Sequence, residues 1–424
     1  MRKIVYAVVA AALLAAAAAL VLLALQFRRP PASTPSAATA ALPADERIAR
    51  GAYLAKAGDC MSCHTARGGQ PYAGGRALQT PFGAVIAPNI TADQHTGIGA
   101  WTRDDFWRAL HHGQSRDGRL LYPAFPYTNY TRITRDDADA LYAYLQTVPA
   151  VIQANQPHQL RFPYNLQIAL AAWRVLYFKP AVFLPETGQS LDWNRGAYLV
   201  QGLGHCSACH SARNPLGATE GETLSGGMIP AQGWYAPALN TRADWEPVHL
   251  AALLKTGVSP RAAVFGPMAE VVRESLQYLD DSDIHAITVY LKALPAAPRP
   301  ATFERDSAPE AVGFLAAGGK LYEKHCAACH GADGAGKPPV DPPLAGNQAL
   351  TMTNAVNPIR IVLNGGFAPA TAGNPRPHSM PPFGHALNDT EVAQIVSYLR
   401  SAWGNNAPPV SGKDVNRYRA VPLD

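Results

Sequence analysis

Cysteine is nearly missing from this 424-residue chain: there are six, and every one falls in the pattern Cys-x-x-Cys-His. No thiol is left for a structural disulfide, so cysteine pairing says nothing about compartment. Charged residues are sparse at 16%, and the formal net charge of +5 comes from scattered rather than clustered lysines and arginines. That gives no support to nucleic-acid binding and at most favours docking to an acidic redox partner. Little of the chain reads as strand, and no flavin, pyrroloquinoline quinone or molybdenum fingerprint is visible, nor a nucleophile paired with a base. The chain therefore reads as mainly α and not as an independent substrate-oxidising enzyme. Hydrophobic content of 48% is ordinary for packed domains, and the length suits about three of them.

What is present is a motif used three times: Cys60-Met61-Ser62-Cys63-His64, Cys206-Ser207-Ala208-Cys209-His210 and Cys326-Ala327-Ala328-Cys329-His330. Two thiols one helical turn apart can form thioethers to the two vinyl groups of one porphyrin, while the adjacent imidazole reaches the iron. The spacing predicts three covalent c-type haems, with His64, His210 and His330 as proximal ligands. Half a zinc site and a thioredoxin-type dithiol are the competing readings. Zinc needs the pairs to combine into fours, and three pairs leave one over. A dithiol catalyst has no use for a histidine fixed after the second cysteine three times.

Arg2 and Lys3 precede an apolar run from Ile4 to Leu25, followed by Arg28, Arg29 and a Pro/Ala/Ser/Thr stretch to Pro43. Secretory apolar regions run about 7 to 15 residues and bilayer-crossing helices about 20, so an uncleaved anchor is expected over a cleaved signal. Ala38-Thr39-Ala40 resembles a cleavage site but lies far beyond the run. Positive charge on both sides leaves orientation undecided. Covalent haem attachment takes place on the outer side of the bacterial cytoplasmic membrane, which puts the body on the periplasmic face.

Self-comparison gives the organisation. Arg50-Gly51-Ala52-Tyr53-Leu54 and Arg195-Gly196-Ala197-Tyr198-Leu199 precede the first two motifs, and Gly318-Gly319-Lys320-Leu321-Tyr322 takes their place before the third. Each motif is followed by a helical stretch ending at glycine: Trp101 to Gly113, Trp245 to Gly257, Pro358 to Gly365. Each unit then closes with a helix ending in Tyr-Leu, from Arg135-Asp136 to Leu145, Asp280-Asp281 to Leu291 and Asn388-Asp389 to Leu399. Asp or Asn at those starts suits the free amides and the positive dipole end, and the Tyr-Leu ends are expected to pack on the first helix of the unit. This is the order of small class I cytochrome c domains, with long Gly/Pro-rich loops that pack on the haem. The expected boundaries are an anchor and linker over 1–43, domains over 44–148, 187–295 and 310–404, linkers over 149–186 and 296–309, and a polar tail over 405–424. Leu166 to Phe178, an apolar piece of the first linker, is too short to span a bilayer; it reads as a buried strap between domains, against a contact with membrane or partner.

Methionine opposite histidine makes a low-spin site of raised potential, and the slot lies in the loop before each closing helix. Met380 fills it in the third unit, with His378 and Met352 as rivals, and Met268 in the second, with Met228 as fallback. The first unit has Phe125 there, which cannot ligate iron, and Met61 between the haem cysteines is badly placed. Three readings stay open for that haem: histidine ligation by His95, His111 or His112, an open iron, or a ligand from elsewhere in the chain.

The body from about Ala44 to Trp403 resembles the three-haem cytochrome c subunits of bacterial membrane-bound dehydrogenases, such as the alcohol and gluconate dehydrogenase complexes. The resemblance is carried by Thr80-Pro81-Phe82-Gly83, Asn89-Ile90-Thr91, Thr96-Gly97-Ile98-Gly99-Ala100-Trp101, Leu121-Tyr122-Pro123-Ala124, Trp193-Asn194-Arg195, Gly204-His205-Cys206 and Gly233-Trp234-Tyr235-Ala236-Pro237. It implies that a separate large subunit, using pyrroloquinoline quinone, FAD or molybdenum, oxidises the substrate. The cytochrome would pass the electrons to ubiquinone or a terminal oxidase. Phe125 departs from the Tyr-Pro-Ala-Met-Pro-Tyr stretch of many members, and suits relatives associated with molybdenum hydroxylases. The expected function is an electron-transfer subunit. A haem enzyme using an open first iron, as a peroxidase or small-ligand reductase, is the alternative. An optical spectrum separates the two: a high-spin ferric iron that binds cyanide favours the enzyme, and three low-spin haems sink it. A passive haem sensor or store fits poorly with three haems and an anchor.

Overall fold

Capping chemistry decides where the helices start and stop in the computed structural model, which describes residues 2–31, 42–221, 223–240, 245–296, 303–304, 306–338 and 340–421. Asn388 and Glu391 form a reciprocal capping box at the start of the helix Asp389–Leu399, as do Thr102 and Asp105 before Arg103–His112. Such a box satisfies two otherwise orphaned amides. The helix Arg135–Leu145 is capped by the Thr134 hydroxyl, which accepts from the Asp137 amide, so its cap lies one residue ahead of the expected start. Gly113 (φ 57°) and Gly257 (φ 79°) end their helices in the left-handed conformation that glycine adopts without strain.

The chain forms two compact units. The first comprises Met1–Pro185 with Gln201–His205 and Pro215–Ala218. It holds the apolar helix Arg2–Gln26, a leading helix Ala44–Ala57, the helical turn Cys60–His64, the helix Arg103–His112 and the closing helix Arg135–Leu145. The second holds two further sets of the same order. One runs Leu191–Tyr198, Ser207–His210, Pro247–Thr256 and Asp281–Ala293, and the other Pro309–His325, Ala327–His330, Val356–Asn364 and Asp389–Leu399. These two sets are tied by Asn357, whose side chain bonds both the amide (3.0 Å) and the carbonyl (2.8 Å) of Tyr235, and by the Arg360 guanidinium 4.7 Å above Trp234.

Each leading helix crosses its closing helix at a glycine. A Cβ on Gly51 would lie 1.9 Å from the Ala140 carbonyl oxygen, on Gly196 2.0 Å from that of Ala286, and on Gly318 2.1 Å from that of Gln394. Tyr144, Tyr290 and Tyr398 flank the crossings, which is the packing role the Tyr-Leu ends were expected to have. Arg50 bonds Asp137 at 2.7 Å, and Arg195 grips Asp283 through two 2.7 Å contacts, pinning the first two crossings.

Among the described residues, strand content is confined to short antiparallel sheets: a three-stranded one of Ala77–Thr80, Gly83–Ile86 and Gln159–Leu160, and the pairs Gly227–Ile229 with Trp234–Ala236, Val258–Ser259 with Ala262–Ala263, and Gly366–Phe367 with Ser379–Met380. Two regions differ from the sequence reading. The piece Leu166 to Phe178 is a helix, Gln167–Tyr177, in which only Leu170, Ala171 and Arg174 are buried; the opposite face is exposed where a buried strap was expected. The tail folds a helix, Gly412–Arg419, capped by Ser411 and Asp414 and docked on the last closing helix through Asp389, which bonds Asn416 (2.7 Å) and Arg419 (2.6 Å). Ala38-Thr39-Ala40 and, within the second linker, residues 297–302 and 305 lie outside the described residues.

Candidate haem-binding sites

The three motif turns are held alike. His64 Nδ1 lies 2.8 Å from the Pro88 carbonyl oxygen, His210 Nδ1 2.6 Å from that of Pro237, and His330 Nδ1 3.1 Å from that of Pro342. A carbonyl only accepts, so in each ring Nδ1 carries the proton and Nε2 keeps its lone pair for a metal. Burial lowers the pKa of His64 and His330, which keeps both rings neutral, as iron ligation requires.

A second bond fixes each histidine backbone. Gly74, Gly226 and Gly336 donate their amides to the carbonyls of His64, His210 and His330 at 2.7, 2.8 and 2.9 Å. All three glycines have positive φ, of 79°, 87° and 65°. A Cβ on Gly74 would lie 2.4 Å from the Pro88 carbonyl carbon, and on Gly336 2.9 Å from the Pro342 oxygen. Each glycine therefore lets the proline loop close over its histidine. Arg76 and Arg213 add a third bond in the first two motifs, to the carbonyls of Ser62 and Ala208. Sequence reading missed these glycines and prolines because the histidine-to-proline separations are uneven, at 24, 27 and 12 residues. The repeated Gly-then-Pro order was the available signal.

Desolvation pushes the thiols of Cys60 and Cys206 up to about 12 and that of Cys326 up to about 11. Thiols held protonated in this way are poor zinc ligands. Among the described residues, no three His, Cys, Asp or Glu side chains stand together as a metal cluster. The turns thus suit thioether attachment and one imidazole per iron, and the donor set fits haem c.

The loops expected to supply the far side of each iron meet the proline loops. In the third set, Met380 pairs in register with Gly366 and packs, half-buried, on the core around Ile359 and Val362. His378, two residues earlier, reaches Asp341 beside Pro342 at 3.5 Å, but is 64% exposed. Met352 offers its carbonyl to Arg400 at 3.0 Å. In the second set, Met268 starts the helix Pro267–Glu274, and Gly266 before it abuts Trp234, on the strand leading to Pro237. Met228 lies on the facing strand, 40% exposed, with its sulfur 3.5 Å from Asn354.

In the first set Phe125 holds the corresponding position. Tyr122 stacks edge-on to His158 at 5.2 Å, and His158 accepts from the Ile86 amide just before Pro88. Phe125 itself packs 5.4 Å from Tyr130, whose hydroxyl donates to the Gly58 carbonyl at 2.9 Å, next to the motif. His111 and His112 stand together at the end of their helix with ring centroids 4.6 Å apart, and His111 stacks on Trp107 at 4.3 Å. Burial lowers the pKa of both, that of His112 to about 4. His95 is apart from them, exposed in a loop pinned by Asp93. Met61 lies within the motif turn itself.

Known proteins resemble this chain over most of its length. The cytochrome c family model matches residues 48–149 and 315–403. The cytochrome c subunit of the quinone alcohol dehydrogenase of Gluconacetobacter polyoxogenes is 37% identical over 88% of this chain and 84% of its own length. The gluconate 2-dehydrogenase cytochrome c subunit of Pantoea cypripedii is 39% identical over 88% of this chain and 90% of its own length. A nicotinate dehydrogenase subunit of Pseudomonas putida is 41% identical over 86% of this chain but only 31% of its own length. The haem-enzyme alternative draws no support from these relatives. With its covalent-haem motifs, its glycine-crossed helices and this similarity over most of its length, the chain belongs to the family of cytochrome c subunits of alcohol and gluconate dehydrogenase complexes.

Proposed function

We propose that this chain carries three haem c groups and conducts electrons from a partner dehydrogenase to ubiquinone or a terminal oxidase. Bound haem supplies an iron that cycles between ferric and ferrous states one electron at a time. The chain's part is to fix each porphyrin through Cys60 and Cys63, Cys206 and Cys209, Cys326 and Cys329, and to set each potential through its ligands. The observation that carries this reading is the imidazole-to-prolyl-carbonyl bond, repeated at His64, His210 and His330. It presents Nε2 to a metal three times in one geometry, and supports three cytochrome c domains, over 44–148, 187–295 and 310–404.

Met268 and Met380 complete the second and third iron sites. The first takes a different far-side ligand, because Phe125 fills the slot; buried His111 and half-buried His112 are more shielded from solvent than His95, which is exposed. The large subunit is of the pyrroloquinoline quinone, FAD or molybdenum type. Phe125 suits the last, as the family resemblance implies. The helix Arg2–Gln26, long and apolar enough to cross a bilayer, anchors the body on the periplasmic side.

Haem stoichiometry on the purified full chain, by pyridine haemochrome against protein mass, tests the reading at its base. Three haems per chain are expected, and two or fewer overturn the count. In the complex with its dehydrogenase, substrate must reduce the haems, and added ubiquinone must reoxidise them. Haems that stay oxidised under substrate remove the electron-transfer role.

A further inference from the structure

The helix Gln167–Tyr177 has an outer face with no charge on it. Ile168, Ala172 and Leu176 recur every four residues along that face, all exposed, with Leu176 at 68%. The flanking chain adds further exposed apolar side chains, Phe162 at 78% and Leu184 at 79%. The helix's one charged residue, Arg174, points inward: it donates to the His112 carbonyl at 2.8 Å and lies over the rings of Tyr127 and Phe178. An uncharged row of exposed apolar side chains suggests a covered surface, and its neighbour indicates what covers it. The buried side, Leu170 and Ala171, packs with Leu120 against Leu23 in the last turn of the apolar helix. Arg174 Nε donates to Gln26 Oε1 at 3.2 Å, and Arg29 bonds Asp105 at 2.6 Å immediately afterwards. The helix Gln167–Tyr177 therefore lies against the end of the bilayer-crossing segment, within about one helix diameter of where the chain leaves the hydrocarbon. Exposed cations flank the helix in sequence, Arg161 and Lys179, of a sign that suits anionic headgroups.

We propose that Gln167–Tyr177 lies in the boundary between headgroups and acyl chains as a second membrane contact, beside the exit of the anchor. The inference rests on the membrane-anchor reading above. The occupant is the lipid surface and not the dehydrogenase, because the helix that bears this face packs through its other side on the last turn of a segment whose own apolar side chains are exposed along most of its length. The outer face, not burial between domains, is what the apolar sequence of this segment serves.

The test uses the full holo-chain in phosphatidylcholine–phosphatidylglycerol vesicles, with one nitroxide per variant on Leu176→Cys, Ile168→Cys, Leu13→Cys or Thr147→Cys. With the six native thiols in thioether bonds, the introduced cysteine is the labelled one, and unchanged haem content certifies folding. With the haems left ferric in every sample, collision with dissolved oxygen is compared with collision with a water-soluble nickel chelate. Oxygen should exceed chelate at positions 176 and 168, as at 13, and chelate should exceed oxygen at 147. If positions 176 and 168 behave like 147 while 13 stays chelate-protected, the inference is overturned and the anchor stands. If they become protected only when the dehydrogenase is added, the patch is a protein interface and the inference is again overturned. Chelate access at position 13 overturns both readings.

Discussion

Nε2 of each motif histidine is freed by a single carbonyl, so the sites differ chiefly in what stands opposite. Met268→Ala and Met380→Ala are each expected to lower one haem potential by a sizeable part of the roughly 0.8 V over which axial ligands move haem potentials. Quinone reduction slows, while substrate oxidation with an artificial acceptor is retained. Potentiometric titration of each variant checks this, and three unmoved potentials would remove that methionine as a ligand. For the first haem, His112→Ala and His111→Ala are read by near-infrared magnetic circular dichroism. Loss of a bis-histidine signature in one of them assigns the ligand, and its persistence in both excludes the pair. At this scale the sequence was most legible where chemistry dictates spacing, as at Cys60 to His64. It was least legible where partners converge from uneven distances, as Gly74 and Pro88 do on His64, because a hydrogen bond to a loop carbonyl leaves no periodic trace.

Elements tell a different story. Helix ends at Gly113 and Gly257 and the cap at Asn388 were readable because backbone conformation and capping are local. The crossings were half-readable: Gly51, Gly196 and Gly318 announced themselves by repetition, but not the backbone-to-backbone contact that makes them necessary. Gly196→Ala is expected to destabilise its set by about 1–3 kcal/mol or more through overpacking, and to deplete the second haem selectively; thermal unfolding and haemochrome content measure it. The docked tail helix escaped notice because its stretch is polar and its hold is tertiary. Hydrogen bonds from Asn416 and then Arg419 lower the Asp389 pKa below its ordinary 3.8. The folded value lies below the unfolded one, so this contact is fully present above about pH 3.8 and is lost as pH falls through the depressed value. Hydrogen exchange in Gly412–Arg419 should rise in that acid range, and Asp389→Asn should show the same rise at neutral pH.

For the whole molecule, the proposed anchoring by Arg2–Gln26 predicts that the chain is recovered in the membrane pellet after carbonate washing. Recovery in the soluble fraction would contradict the anchor. Asp105 joins anchor and body: it is buried, caps its own helix through Thr102 and receives both Arg108 and Arg29 at 2.6 Å. Asp105→Asn is expected to cost about 1–3 kcal/mol, seen as a lower unfolding temperature of the first unit, because two guanidinium groups lose their counter-charge. The contacts at Gln26 and Arg29 have a mechanical consequence. The first unit is held by contacts that precede residue 32 in the chain, at Gln26 and Arg29. Inserting a flexible glycine-serine segment between Pro31 and Leu42 should leave quinone turnover unchanged, whereas cutting the moorings with Arg29→Ala and Arg174→Ala should make turnover depend on the length of the insert.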